Sequence, residues 1–396
     1  MRTRRCDIVV VGAGPAGSLT SRTAAEHGAN VLLLEEHPKV GIPVHCAEGL
    51  YIEAIIDAGL KPVPPYICQP IKRARVFAPN KKYVDLSFDD WGGYNLNRDE
   101  FDRALADNAV NAGAELLTET RATGVVKKGG KVVGVKAVSK GETIQVNADI
   151  VIGAEGYTSI VRRTAGFPKW YADATPVAQF QLSGVKIDTP HTNEVHIGRE
   201  IAPGGYAWVF PKSSTTANVG LGVRLFNKGP ALDYLKRFVA SDPRFQDAKI
   251  MNINGGICPV SGVFEKIVDD GVMLVGDAAG QMMPMTGAGI HLGVASGKIA
   301  GEVAARAVHA GDVSRGVLQE YQDRFDSVWG KHIRDAGRAL TMFDRFEDKH
   351  YNTLVEIIEP DDIINLTNGE SVTRTVARLV ARSPRGMISL MSAYIR

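Results

Sequence analysis

The sequence is poor in aromatic residues and in cysteine, and it is nearly balanced in charge. Four cysteines, Cys6, Cys46, Cys68 and Cys258, are scattered through 396 residues. They form no CxxC and no paired spacing, which argues against a structural zinc site, an iron–sulfur cluster and a secreted disulfide framework. A reducing cytoplasm is the expected compartment. A net charge of +2 gives no global basis for nucleic-acid binding. No apolar run approaches the roughly 18 residues of a membrane span. The start of the chain is basic and then apolar, but the apolar run is short and flows straight into a glycine turn, so it is not read as a signal peptide. His45 beside Cys46 makes no metal site: an adjacent pair lacks partners at ligand spacing. No internal repeat or low-complexity tract is seen. The remaining composition, 44 % hydrophobic and 23 % charged, is ordinary for a globular chain of two or three domains.

What is present begins at once. Residues 7–11 read as a buried, β-branched strand, followed by Gly12, Gly14 and Gly17 in a GxGxxG turn that includes Ala16. A helix is expected over 15–27 and a second strand over 30–34, ending in Glu35. Each part has a physical task. Gly12 makes the tight turn, Gly14 lets the backbone approach a pyrophosphate, and Gly17 lets helix pack on strand. The helix N-terminus presents its positive dipole end to the phosphates. Glu35, 23 residues beyond Gly12, can accept hydrogen bonds from ribose hydroxyls. Strand, glycine turn, helix, strand and acid together predict a dinucleotide site.

Two further segments bear on which dinucleotide. Residues 272–280 are another apolar strand running into Gly276 and Asp277, followed by Gly287, Gly289 and Ile290 and a helix to about 308. This resembles the second signature of glutathione-reductase-type and aromatic-hydroxylase-type flavoproteins, which implies that Asp277 binds a ribityl hydroxyl and the backbone of Gly287, Gly289 and Ile290 meets the flavin ring. Residues 153–162 resemble the GADGxxSxxR segment of the same proteins, with Glu155 in place of Asp. The resemblance favours FAD over NAD. It also implies that Arg98, opening a helix to about 112, lies near the cofactor, and that backbone near Ala122 meets the adenine.

The stretches between these signatures read as strands: 73–78, 176–187, 194–197, 206–211, 217–223 and 249–254. The expected architecture is α/β. A glutathione-reductase-type FAD-binding Rossmann domain (1–70, 98–168 and 269–315) carries an inserted antiparallel sheet of aromatic-hydroxylase type (71–97 and 169–268). A helical region follows from 316 to 396. In the insert, a period of two places Tyr206, Trp208 and Phe210 on one face and Ala207 and Val209 on the other. At the C-terminus, Arg374, Arg378 and Arg382 recur every four residues, joined by Arg385 and Arg396. Beyond them Met387, Ile388, Leu390, Met391 and Ile395 make the end apolar, a pattern suited to an anionic membrane surface.

The pattern PxxYxWxFP followed by GxG (Pro203, Tyr206, Trp208, Phe210, Pro211, Gly220 and Gly222) resembles the geranylgeranyl reductase family, over essentially the whole chain. The segment around Cys46, Ala47, Glu48 and Gly49 belongs to the resemblance. His45 and Ala47 stand where archaeal relatives typically carry Arg and Gly. The resemblance implies a cytoplasmic, peripherally membrane-associated FAD enzyme that saturates isoprenoid double bonds of archaeal membrane lipids. Tyr206, Trp208 and Phe210 would line the lipid-chain tunnel. An isolated trisubstituted alkene has no carbonyl to polarise it. Protonation giving tertiary-cation character, with hydride delivered from reduced flavin, is therefore the expected route. Cys46 and Glu48 are both candidate proton donors; Tyr206 and Trp208 either stabilise the cation or shape the tunnel. With no second GxGxxG, ferredoxin or a reduced deazaflavin is the expected electron donor. The same fold also serves monooxygenases and halogenases, and a non-catalytic prenyl-lipid carrier is a further alternative.

Overall fold

Four short apolar strands set the centre of the molecule. In the computed structural model, which describes residues 2–88, 92–224 and 229–394, strand Ile8–Val11 is buried throughout. It pairs in parallel with Val31–Leu34 on one side and Ile150–Gly153 on the other. Val272–Leu274 and Glu115–Leu117 extend the sheet in parallel, and Val268–Asp269 adds an antiparallel edge. Strands buried on both faces read as continuous apolar runs. Helices Pro15–Glu26 and Ile290–Ala310 pack together in the same core. Gly297 and Gly301 make that approach close: a Cβ at either would lie 2.5 or 2.7 Å from the carbonyl of Ala16 or Thr20. A four-stranded sheet that includes Thr120–Lys128 adds Val135, Ala137, Ile144 and Val146 to this core.

The inserted sheet has seven strands, in the order Lys249–Cys258, Thr175–Ser183, Thr216–Gly222, Ala207–Pro211, Thr192–His196, Arg73–Phe77 and Tyr83–Ser87. It is not wholly antiparallel as expected, because Arg73–Phe77 and Thr192–His196 run parallel. These two strands come from distant parts of the chain, and no hairpin dictates their sense. Tyr83–Ser87 is a further strand the pattern did not reveal. The expected boundaries near 70 and 97 fall at the ends of strands. Ile67–Ile71, Gly93–Leu96 and Gly49–Leu50 form a fourth, small sheet between the cofactor and insert regions.

The alternation of the aromatic strand is realised. Ala207 and Val209 share a face with Ala217, Val219 and Leu221, covered by Leu235 of helix Ala231–Ser241. Trp208 and Phe210 point to the opposite, cavity-lining face. That face is roofed by the C-terminal helices: Tyr351, Leu354, Val355, Ile358 and Leu366 pack on Ala78, Val84 and Leu86.

The arginine stripe of helix Val372–Arg382 differs from the expected lipid-facing one. Arg382 pairs with Glu359 and Asp362, both at 2.7 Å, and Arg378 pairs with Asp362 at 2.9 Å. Asp362 is buried at the start of helix Pro360–Thr367, and its carboxylate captures the two cations that the helical period brings opposite it. Ile395 and Arg396 lie outside the described residues.

Candidate functional site

One continuous cavity of about 1410 Å³ runs from the glycine turn to the C-terminal helices. Pockets for a single small ligand are typically about 300–1,000 Å³, so this one has room for more than a cofactor. Every candidate site residue of the sequence except Gly17 lines it.

The cofactor end is built from backbone. Gly12 has φ +99°, and a Cβ there would lie 2.6 Å from the Ala154 carbonyl; one at Gly17 would lie 1.9 Å from the Gly12 carbonyl. Gly17 therefore acts as a packing residue, which explains why it does not reach the cavity. A Cβ at Gly14 would meet nothing within 4 Å. This is the space a pyrophosphate needs, beside the N-terminus of helix Pro15–Glu26, which no side chain caps. Glu35 accepts from the amides of Ala13 (3.1 Å) and His37 (2.9 Å), and its Oε1 lies 2.7 Å from His37 Nδ1. These contacts hold the carboxylate at the strand end where a ribose would sit. Ala122 lines the cavity from the four-stranded sheet, and Gly287, Gly289 and Ile290 line it from the turn before helix Ile290–Ala310.

Charge at this end is arranged around Arg98. Burial disfavours the guanidinium, but Asp102, bonded at 2.9 and 2.8 Å, with Cys46 nearby, raises its pKa above the ordinary value. Burial pushes the Asp277 carboxyl up to about 6, against the pull of Arg98. Glu155, in place of the familiar Asp, accepts from Ser159 Oγ (2.7 Å) and the Val161 amide (2.9 Å), securing the start of helix Ile160–Ala165. The cradle fits FAD: an open glycine facing an uncapped helix start, an oriented ribose acceptor and a buried carboxyl at the strand end.

The segment from Cys46 to Gly49 joins the cofactor end to the inserted sheet. Cys46 is a free, partly exposed thiol whose Sγ accepts from the Glu48 amide at 3.2 Å. Its carbonyl accepts from Gln179 Nε2 (2.8 Å), and Gln179 Oε1 accepts from Trp208 Nε1 (2.8 Å). Gly220 makes room for the indole, since a Cβ there would lie 2.4 Å from it. Glu48 is buried and fully engaged by Lys212 Nζ (2.6 Å), Asn218 Nδ2 (2.5 Å) and the Arg98 amide (2.8 Å). These three partners fix the carboxylate between the inserted sheet and the start of helix Arg98–Asn111. Sequence reading missed Gln179, Lys212 and Asn218. A polar residue on a strand pattern reads as surface, and only the pairing of distant strands shows these three facing inward.

Tyr206 and Trp208 meet edge to face at 6.0 Å, and the Tyr206 hydroxyl donates to the Thr286 carbonyl in the turn that carries Gly287. Burial raises the Tyr206 pKa above the ordinary phenol value, so the hydroxyl stays protonated as a donor. Phe210 packs against Gly49. Beyond these rings the wall is apolar: Leu340, Phe343, Leu354, Val355 and Ile358 line it from the helices.

Cradle and sheet together define an FAD-dependent oxidoreductase. Residues 7–194 match the FAD dependent oxidoreductase family, and residues 173–258 match the geranylgeranyl reductase catalytic domain. The digeranylgeranylglycerophospholipid reductase of Methanothrix thermoacetophila is 43 % identical over 91 % of this chain and 93 % of its own. The second such reductase of Methanopyrus kandleri is 38 % identical over 96 % of both. A geranylgeranyl bacteriochlorophyll reductase-like protein of Thermoplasma acidophilum superposes with a TM-score of 0.89 at 31 % identity, covering 99 % of this chain and all of that one. A flavin-dependent brominase shares the fold, with a TM-score of 0.69 at 22 % identity over 92 % of this chain and 94 % of its own. The chain belongs to the geranylgeranyl reductase family.

Proposed function

We propose that this protein saturates the C=C bonds of geranylgeranyl chains in archaeal ether phospholipid precursors. The observation that carries the reading is the single cavity joining an FAD cradle to an apolar arm, with Tyr206 and Trp208 at the junction. Bound reduced FAD supplies the hydride. The chain's own residues hold the alkene in a water-poor channel, and ring faces of Tyr206 and Trp208 attract a developing tertiary cation by about 0.5–2 kcal/mol each. Their hydrogen bonds to Thr286 and Gln179 fix the rings relative to the cradle. Of the two candidate proton donors, the geometry favours the partly exposed Cys46 thiol. Glu48, held by Lys212 and Asn218, is a positioning residue for Cys46 and Arg98. Ferredoxin or a reduced deazaflavin serves as electron donor.

Association with a membrane surface is part of the reading. Ile388 and Met391 are 67 % and 59 % exposed on helix Pro384–Met391. Arg374 and Arg385 are exposed nearby in sequence and make no ion pair among the described residues. Among the described residues no helix is long and apolar enough to cross a membrane.

The test is anaerobic incubation of dithionite-reduced holoenzyme with a geranylgeranyl ether phospholipid in vesicles, followed by mass counting of added hydrogens. Stepwise gain of hydrogen pairs is expected. Absence of any gain, with flavin fully reduced and lipid bound, would leave a lipid carrier instead.

A further inference from the structure

Reducing equivalents must reach the cofactor from outside, and one exposed ring adjoins in sequence a ring stack that reaches the cavity wall. Trp170 is 76 % exposed, more than any other large hydrophobic residue among those described. It lies between helix Ile160–Ala165 and strand Thr175–Ser183. The next residue, Tyr171, stacks on Tyr157 at 4.9 Å and packs on Phe264 at 4.9 Å. The Arg162 guanidinium sits 4.4 Å over the Tyr171 ring and donates to the carbonyls of Pro168 (2.8 Å) and Tyr157 (3.0 Å). Those bonds brace the segment that holds the indole outward. The Tyr171 hydroxyl donates to the Asp277 carbonyl at 2.5 Å, and Tyr157 itself lines the cavity. A ring stack thus leads from Tyr171, the residue after the exposed tryptophan, to the cavity wall and to the backbone of Asp277.

Three exposed cations lie on, or are bonded to, the segment that leads to this tryptophan, one of them, Arg163, also bordering the cavity. Lys127 donates to the Ala165 carbonyl at 2.7 Å, Arg163 lies on the adjoining helix, and Lys169 precedes Trp170. None of the three forms an ion pair among the described residues, whereas Lys266, beside Phe167, is matched by Asp269 at 2.6 Å. Glu265 is an exposed acid next to Phe264 in sequence. The local balance is positive on a chain whose net charge is only +2.

We propose that Trp170 with Lys127, Arg163 and Lys169 is the docking surface for a small acidic electron-carrier protein. The proposal rests on the reductase reading above. Complementary charge steers such a partner and sets its orientation, and a central tryptophan inside a charged rim is the usual anchor of a protein interface. Electron transfer slows steeply with separation, and the Tyr171–Tyr157 stack that begins one residue from the anchor gives a partner docked here a short path to the cavity wall. The balance is simple. Two one-electron carriers, or one carrier acting twice, each become oxidised by one electron. The two electrons and two protons from water convert FAD to its two-electron-reduced form.

The experiment uses the holoenzyme and an acidic [4Fe–4S] ferredoxin as probe, with Trp170→Ala and Lys169→Glu as variants. The dissociation constant of the ferredoxin is measured by titration at several salt concentrations. Trp170→Ala is expected to raise it by about 10-fold or more, and Lys169→Glu is expected to raise it and flatten its salt dependence. Flavin content and dithionite-driven reduction stay at the wild-type level. Unchanged ferredoxin affinity in both variants overturns the proposal. So does loss of binding to anionic phosphatidylglycerol vesicles with ferredoxin affinity unchanged, which assigns the patch to a membrane. Failure of dithionite-driven lipid saturation in the wild type strikes the reductase reading instead, and the ferredoxin titration still reads the docking surface.

Discussion

The two ends of the cavity are made in opposite ways. The cofactor end is shaped largely by backbone: glycines at which a side chain would collide or fill the cradle, and a helix start that no side chain caps, with a few charged side chains around them. The apolar arm is made of side chains, contributed by the inserted sheet and by helices from the last part of the chain. Backbone at van der Waals contact cannot yield, so the first end tolerates almost no change. An apolar wall assembled from many side chains can repack, so the second end is adjustable. A cofactor of fixed shape and a flexible isoprenoid chain are suited to these two materials.

That contrast can be broken or sharpened by substitution. The largest effect is expected from Gly17→Ala, whose Cβ would lie 1.9 Å from the Gly12 carbonyl. It should abolish FAD retention and lower the melting temperature sharply, whereas Gly14→Ala, with nothing within 4 Å, should fold normally and lose FAD affinity only. Equal melting temperatures for the two would refute the division between packing and binding glycines. Next comes Lys212→Met, which leaves the buried Glu48 without its ion-pair partner. Such losses cost about 3–5 kcal/mol, and restoring stability with the double variant Glu48→Gln/Lys212→Met is the check.

In the arm, Leu354→Ala is expected to cost about 2–5 kcal/mol of stability. It should also broaden the chain lengths accepted, with FAD affinity unchanged; coupled loss of FAD would show that the ends are not independent. Trp208→Phe removes the bond to Gln179 and should cost about 1–2 kcal/mol, slowing saturation more than it weakens lipid binding, as separate measurement of kcat and KM would show. The smallest effect concerns Asp277. Its folded pKa, raised to about 6, lies above the ordinary aspartate value. The stability associated with the neutral form is therefore complete below that ordinary value and is lost as pH rises through about 6. Asp277→Asn should stabilise the FAD-free protein at pH 7–8 and scarcely change it at pH 4, while weakening FAD binding. A melting profile parallel to wild type across that range would contradict this.

The same contrast explains what could be read from sequence. Gly12, Gly14, Glu35 and Asp277 sit at strand ends in fixed spacing, so local pattern locates them. Trp208 and Phe210 were legible because a strand alternates. Lys212, Asn218 and Gln179 were not, because facing Glu48 and Cys46 depends on which strands pair. The parallel partnership of Arg73–Phe77 with Thr192–His196 joins segments that carry no mutual signal. The arginine stripe misled for a related reason: helical period places Arg378 and Arg382 on one face, but not the buried Asp362 that awaits them.

The glycine turn and the carboxyl that complete one cradle stand far apart along the chain. During synthesis Gly12 and Glu35 emerge early, and Asp277 follows about 240 residues later, a delay of roughly 12–50 s at about 5–20 residues per second. The strand that presents Asp277, Val272–Leu274, must then slot in beside Ile150–Gly153. Until it does, the nascent chain holds half a binding site. Cofactor capture is therefore a late event in the life of the polypeptide, and it seals a sheet whose first strands have long been made.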